Sequence, residues 1–270
     1  MPFSHTEKRK RGRPRSAAAA GFSPVQALDR GLTILEALAG QQSAGLSELA
    51  RQVSMPPSTV HRFLATLQAH GFTDFDPHMQ EWAIGIGAFR VGNTYLRRTN
   101  LVEAAQGPMR RLMEQTGETA NLGIADQGYI VFISQIETQN PIRAMFRPGA
   151  RSQMHASGIG KALLAHMPRD MVEKILLAGG QPGFTPQTLT TPEALFADLE
   201  RIITRGWSFD NEEHYIGMRC IASVIFDGRG KATAGVSVSG PAARFNESMI
   251  ARTGPLVAQA AAEITALTGG

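Results

Sequence analysis

Asp210 and Cys220 stand ten residues apart, and Ser237, Val238 and Ser239 follow further along the chain. On a strand, alternation places the hydroxyls of Ser237 and Ser239 on one face. Hydroxyls donate to a carboxylate, whereas an ionised Asp210 only accepts and so suits a hydroxyl-bearing ligand. A second stretch, HASGIGKALL at residues 155–164, is glycine-rich and opens a helix. Main-chain N–H groups from Ser157 to Lys161 could there receive a small anion. The stretch is not a Walker A loop, which needs Gly at His155 and Ser or Thr at Ala162, and Leu163 breaks GxGxxG. Each feature also has a plain structural meaning. A buried cysteine packs as a small hydrophobe, serines near a strand end are satisfied locally, and a glycine-rich turn can serve packing alone. A catalytic reading would make Cys220 a nucleophile with His155 or His214 as base. That chemistry needs thiol and imidazole in contact and a third orienting group, and no triad-like spacing supports it. No catalytic residue is expected, and the chain is read as a non-enzyme.

Those residues sit in the back of the chain; the front reads differently. SMPPSTVHRFLATLQAHGF, residues 54–72, starts on two prolines suited to a first helical turn and closes on Gly71, a natural residue just past a helix end. Val60, Phe63, Leu64 and Leu67 fall on one helical face. The other face presents Ser58, Thr59, His61, Arg62 and Thr66. Leu46, Leu49 and Val53 predict a short helix before it, and Val25, Leu28, Leu32, Leu35 and Leu38 predict a first helix ending near Gly40. Short helix, tight turn and second helix make a helix-turn-helix, whose second helix meets DNA through its N-terminal residues. Residues 72–75 and 81–84 predict two short strands around Asp76-Pro77-His78, a wing. A helical bundle without a ligand would share the apolar spacing.

Charge agrees with a DNA partner. The first 100 residues hold 12 Lys and Arg against 7 Asp and Glu; the other 170 hold 15 against 16. KRKRGRPR, residues 8–15, contains six basic residues in eight. With little apolar to pack, residues 1–22 are expected to be a disordered basic arm. Its Arg11-Gly12-Arg13-Pro14 core resembles an AT-hook, in which Arg-Gly-Arg lies in an A/T-rich minor groove. A single cysteine cannot form an internal disulfide or a Cys-rich zinc site, so a reducing cytoplasm is expected, with no metal. No apolar run reaches bilayer length and no apolar segment follows the basic start, so neither a membrane span nor a signal peptide is expected.

ALDRGLTILEAL, LSELARQVSMPPSTVHRFLATLQAHGF and WAIGIGAFRVG together resemble the winged-helix domain of the IclR family of bacterial transcriptional regulators. The resemblance runs over about residues 24–268. It implies that Ser58, Thr59, His61 and Arg62 contact double-stranded operator DNA. Arg11 and Arg13, outside that resemblance, are expected to contact DNA on the strength of the AT-hook motif, with a plain electrostatic arm as the alternative. MHASGIGKALL, FTPQTL, DNEEHYIGMRCIAS and SVSGPAARF resemble the allantoin-pathway, glyoxylate-sensing repressors of that family most closely. That resemblance implies an effector held by the backbone of Ser157, Gly158 and Ile159 and by Asp210, Cys220, Ser237, Val238 and Ser239. Ile159 is larger than the alanine expected there. Glyoxylate is the implied effector and no cofactor is implied. Another small organic acid (aromatic, sugar or keto) and either sign of regulation are compatible with the family. Homodimers assembling to homotetramers are implied.

The expected fold is therefore α+β: a winged helix-turn-helix domain over residues 23–86, a helical linker over 87–117, and a mixed α/β effector-binding domain with a mainly antiparallel sheet over 118–270. In the linker, Pro108 predicts a bend or a fresh helix start. TANLGIAD, YIVFISQIE, IRAMF, GWSFDNEEH, RCIASVIFD and ATAGVSVSG predict strands, and helices are predicted over 168–178, 192–205 and about 247–267.

Overall fold

A computed structural model describes residues 24–144 and 146–270, the side chains of 97–99 excepted. The basic arm, with Arg11 and Arg13, lies outside the described residues. The chain divides into two units, Met1–Gly92 and Asn93–Gly270.

In the first unit, α1 (Gln26–Ala39), α2 (Leu46–Gln52) and α3 (Pro57–Ala69) surround an apolar centre of Ile34, Leu38, Leu49, Val60, Leu64 and Trp82. The turn between α2 and α3 passes through Ser54 in a left-handed conformation. Pro56 caps α3 and Pro57 occupies its first turn, where a missing N–H costs nothing. Strands β1 (Ala44–Gly45), β2 (Thr73–Asp76) and β3 (Glu81–Ile84) form an antiparallel sheet in the order β1-β3-β2. The wing is fastened to α3 by Thr73 Oγ1, which donates to the Leu64 carbonyl at 3.0 Å. Gly71 turns the chain out of α3 with φ of +74°.

Helix α4 (Ile86–Thr99) ends before Asn100, whose left-handed φ of 50° separates it from α5 (Leu101–Thr116). The break predicted at Pro108 therefore falls at Asn100. Pro108 lies inside α5, buried. Of the stretch expected to be a linker, α5 instead packs into the second unit: Leu101, Ala105, Met109 and Leu112 are buried in its core.

That unit is built on one antiparallel six-stranded sheet in the order β6-β5-β4-β9-β8-β7. Its strands are β4 (Thr119–Asp126), β5 (Tyr129–Ile136), β6 (Arg151–Gln153), β7 (Ser208–Asn211), β8 (Met218–Phe226) and β9 (Ala232–Pro241). Residues 142–144, expected in a strand, belong to a loop: Ile142 is 70% exposed and only Ala144 is buried. On one face, α5 and α9 (Glu247–Leu267) meet Ala120, Leu122, Ile221, Val236 and Val238. On the other, α6 (Gly158–Leu164), α7 (Arg169–Gly179) and α8 (Pro192–Arg205) cover Ile130, Phe132, Ala222 and Val224. Strand alternation thus sends neighbouring residues into two separate cores.

Candidate functional site

Strand register collects the candidate side chains. Asp210 pairs with Cys220, Cys220 with Ser239, and Ser239 with Thr119, making one row across β7, β8, β9 and β4. The next row on the same face runs Ser208, Ala222, Ser237, Asn121 and Gln135. Asp210, Cys220, Ser237 and Ser239 therefore lie side by side under α6, as their motifs implied. Val238 does not join them. Alternation turns its side chain to the opposite face, where it is fully buried against the α5 and α9 core.

Two residues not singled out from sequence extend the hydrogen-bond network from Ser239 along the sheet. Asn121 Nδ2 donates to Ser239 Oγ at 3.2 Å, and Gln135 Nε2 donates to Asn121 Oδ1 at 2.8 Å. Polar residues alternating with apolar ones in TANLGIAD were the signal for Thr119 and Asn121. Ser237 Oγ, in the pocket lining, is buried with only the Cys220 thiol beside it, a state that favours a polar occupant.

The ceiling is the first turn of α6. Ser157 caps it, its Oγ accepting from the Gly160 N–H at 3.3 Å, and the Lys161 N–H donates to the Ser157 carbonyl at 2.8 Å. The range of available N–H groups thereby contracts to Ser157, Gly158 and Ile159. Gly158 is required here, because a Cβ would meet Cys220 Sγ at 2.8 Å. The bulk of Ile159 points elsewhere. Its side chain sits against Gly235 and Gly123, at 2.7 and 3.3 Å from where their Cβ atoms would be. The two sheet glycines absorb the methyls that alanine would lack.

Phe146 stacks on Phe132 with centroids 4.6 Å apart and lies 6.4 Å from Tyr215, lining the pocket together with His214 and Met218. The enclosed volume is about 20 Å³, space for about one water-sized group. Any larger occupant must displace part of this aromatic lining. A much larger cavity of about 1030 Å³, lined by residues such as Met167, Met171, Ile175 and Phe226, shares no lining residue with this pocket.

Electrostatics set the protonation states. Burial first, and then the charge of Glu213, push Asp210 up to about 7, although the Glu213 N–H donates to its Oδ1 at 2.8 Å. Asp210 is thus poised between donor and acceptor near neutrality. Burial and the adjacent Asp210 push the Cys220 thiol up to about 12; the hydroxyls of Ser239 and Ser237 offset only part of this. The thiol stays protonated, so it is a poor nucleophile. Burial lowers His155 and His214. His155 Nε2 lies 3.1 Å from the Pro182 carbonyl, an engagement outside the thiol.

Behind the ceiling, Lys161 is 1% exposed. Its Nζ donates to Asp198 Oδ2 at 2.7 Å, to the Phe209 carbonyl at 2.7 Å and to Glu213 Oε1 at 2.5 Å. Burial alone would lower its pKa, but Glu213 and Asp198 outweigh burial and the net direction is up. This buried triad ties α6 to α8 and to the loop after β7.

On the first unit, Ser58, His61 and Arg62 are exposed and Thr59 is half-buried, so α3 presents them from its N-terminal half. His61 also meets Trp82 of the wing edge-on, at 6.1 Å between centroids. A helix-turn-helix with an exposed reading face, on a chain whose other unit is a separate α/β domain, defines a DNA-binding regulator. The chain matches the IclR helix-turn-helix domain over residues 27–77 and the bacterial transcriptional regulator IclR C-terminal domain over residues 93–266. It is 48% identical to the HTH-type transcriptional regulator BhcR of Paracoccus denitrificans over 95% of this chain and 94% of that one. It is 38% identical to the HTH-type transcriptional repressor AllR of Escherichia coli, over 98% of each. The Thermotoga maritima IclR crystal structure superposes with a TM-score of 0.73 at 29% identity, covering 92% of this chain and all of that one. The protein belongs to the IclR family of transcriptional regulators, and the relatives it matches are regulators rather than enzymes. AllR, the branch the sequence pointed to, is a relative at lower identity than BhcR.

Proposed function

We propose that this protein is a repressor that releases its operator when a small carboxylate, glyoxylate, enters the pocket between α6 and the Asp210–Cys220–Ser239 row. The single observation that carries the reading is that row, with donors above and below a space of about 20 Å³. The N–H groups of Gly158 and Ile159 and the serine hydroxyls supply donors for a carboxylate. Asp210, protonated below about pH 7, can donate to the carboxylate and accept from a hydroxyl of the aldehyde hydrate. Glyoxylate exceeds the space of about 20 Å³ and enters only by displacing part of the aromatic lining, and an acid of two or three carbons needs less displacement than an aromatic or sugar acid. The resemblance to the AllR branch supports target genes in allantoin and glyoxylate catabolism. Exposed Val25, just before α1, and Leu28 on α1, 70% and 62% accessible, support pairing of two copies through the DNA-binding units, and the family pattern supports two such dimers forming a tetramer. A dimer would present two α3 helices to successive major grooves.

Calorimetric titration of the full chain tests the effector. Glyoxylate is expected to bind, with affinity lost in Ser239→Ala, while benzoate does not. Benzoate binding in preference to glyoxylate would move the reading to an aromatic acid, and neither binding would remove the pocket from consideration.

A further inference from the structure

The buried lysine triad has a second side. Beyond it opens a polar cleft of about 280 Å³ lined by Gln187, Asp198, Arg201, Arg205, Asn211 and Glu213, among others. Three polar atoms in its lining are buried and have no hydrogen-bond partner among the described residues: Glu213 Oε2, Asn211 Oδ1 and Arg205 Nη2. Glu213 is only 4% exposed. One of its oxygens, Oε1, is held by Lys161, so the unpartnered one is fixed in place. Arg205 is equally constrained. Its guanidinium lies 4.5 Å from the Trp207 ring centre and its Nε donates to the Trp207 carbonyl at 2.5 Å, which leaves Nη2 as the unsatisfied donor. Arg201 stands at the rim, its Nη2 3.6 Å from Asp198 Oδ1, beyond hydrogen-bond length.

Two unmet acceptors and one unmet donor belong to residues that line the same cleft, and that pairing specifies a ligand. Two guanidinium groups match the planar carboxylate geometry. Asn211 Oδ1, and Glu213 Oε2 while ionised beside Lys161, only accept, so they call for an N–H or O–H on the same molecule. We propose that this cleft is a second ligand site, distinct from the pocket at Asp210, for a small acid that carries an ammonium or hydroxyl group next to its carboxylate. The carboxylate lies against Arg205 and Arg201, and the neighbouring donor reaches Glu213 and Asn211. Because the Glu213 N–H holds Asp210 and its Oε1 holds Lys161 of α6, occupancy of this cleft changes affinity in the other pocket, and the reverse by the same factor.

Thermal melting of the full-length protein tests the site with defined probes. Glycine and L-serine represent the amino acids, glycolate and L-lactate the hydroxy acids; acetate, methylammonium and inorganic phosphate lack the paired chemistry or its planarity. At about 10 mM, one of the two bifunctional classes is expected to raise the melting temperature by about 2–4 °C, and which class does so identifies the donor. The rise should vanish in Arg201→Gln, a rim substitution that leaves the core alone, and in Asn211→Val, and persist in Asp210→Asn. The proposal is overturned if none of the four bifunctional acids shifts the melt, or if phosphate or acetate shifts it equally. It is also overturned if the rise survives Arg201→Gln and Asn211→Val, or is abolished by Asp210→Asn, which would assign it to the other pocket.

Discussion

The main-chain N–H of Glu213 donates to Oδ1 of Asp210 at 2.8 Å, so a residue whose side chain is bound to buried Lys161 also holds the carboxyl that faces the pocket. Pocket chemistry and core electrostatics are joined at that bond.

Asp210 makes stability and affinity depend on pH. Its folded value of about 7, set by burial and then Glu213, exceeds the ordinary 3.8. Between those values the folded protein holds a proton that the unfolded chain has lost. This stabilising contribution is complete below about pH 4 and is lost as pH rises through about 7. Asp210→Asn should therefore gain melting temperature relative to wild type from about pH 4 to about pH 7, with a constant advantage above. Affinity for a carboxylate should fall above pH 7, since the ionised group repels it and Glu213 and Glu212 add like charge against Lys161. A pH-independent difference between the two proteins would contradict the assignment.

Lys161→Met leaves Asp198 and Glu213 buried without their cation. The expected loss is about 3–5 kcal/mol by urea unfolding. A variant as stable as wild type would mean that the triad does not hold α6 in place.

Cys220 is 8% exposed and its pKa is pushed up to about 12. Iodoacetamide should label it in the native protein on the order of a hundredfold or more slowly than in the urea-unfolded chain. Comparable rates, followed by mass spectrometry, would restore a reactive thiol and with it the nucleophile reading.

Arg62 is exposed on α3. Arg62→Ala should cost about 1–3 kcal/mol of operator affinity while shifting stability by less than about 0.5 kcal/mol. If the contact is to phosphate, the salt slope of binding also drops by about one. Unchanged affinity in an anisotropy titration would take Arg62 out of the interface.

Local signals carried the first unit almost whole: the paired prolines before α3, its apolar stripe and Gly71 are all sequence-adjacent effects. In the second unit, alternation along β9 placed Ser237 and Ser239 together, and the same rule, applied to Val238, would have excluded it. The row itself was hidden, because it depends on which strands pair, and Thr119 lies 120 positions from its partner Ser239. The role of Lys161 was hidden likewise, with Asp198 and Glu213 lying 37 and 52 residues away. Pro108 misled because α5 runs unbroken through it, whereas Asn100, with its left-handed backbone, breaks the helix without any proline signal. Residues 142–144 misled because composition cannot show that Ile142 lies exposed in a loop.

The most direct test is fluorescence anisotropy of the full-length protein on duplex DNA from upstream of its own or neighbouring operons, titrated with glyoxylate. The account predicts a salt-sensitive complex that dissociates at millimolar glyoxylate, and Asp210→Ala and Cys220→Ala proteins that bind the same DNA but no longer let go. A complex indifferent to glyoxylate, or one released equally from both variants, would contradict it.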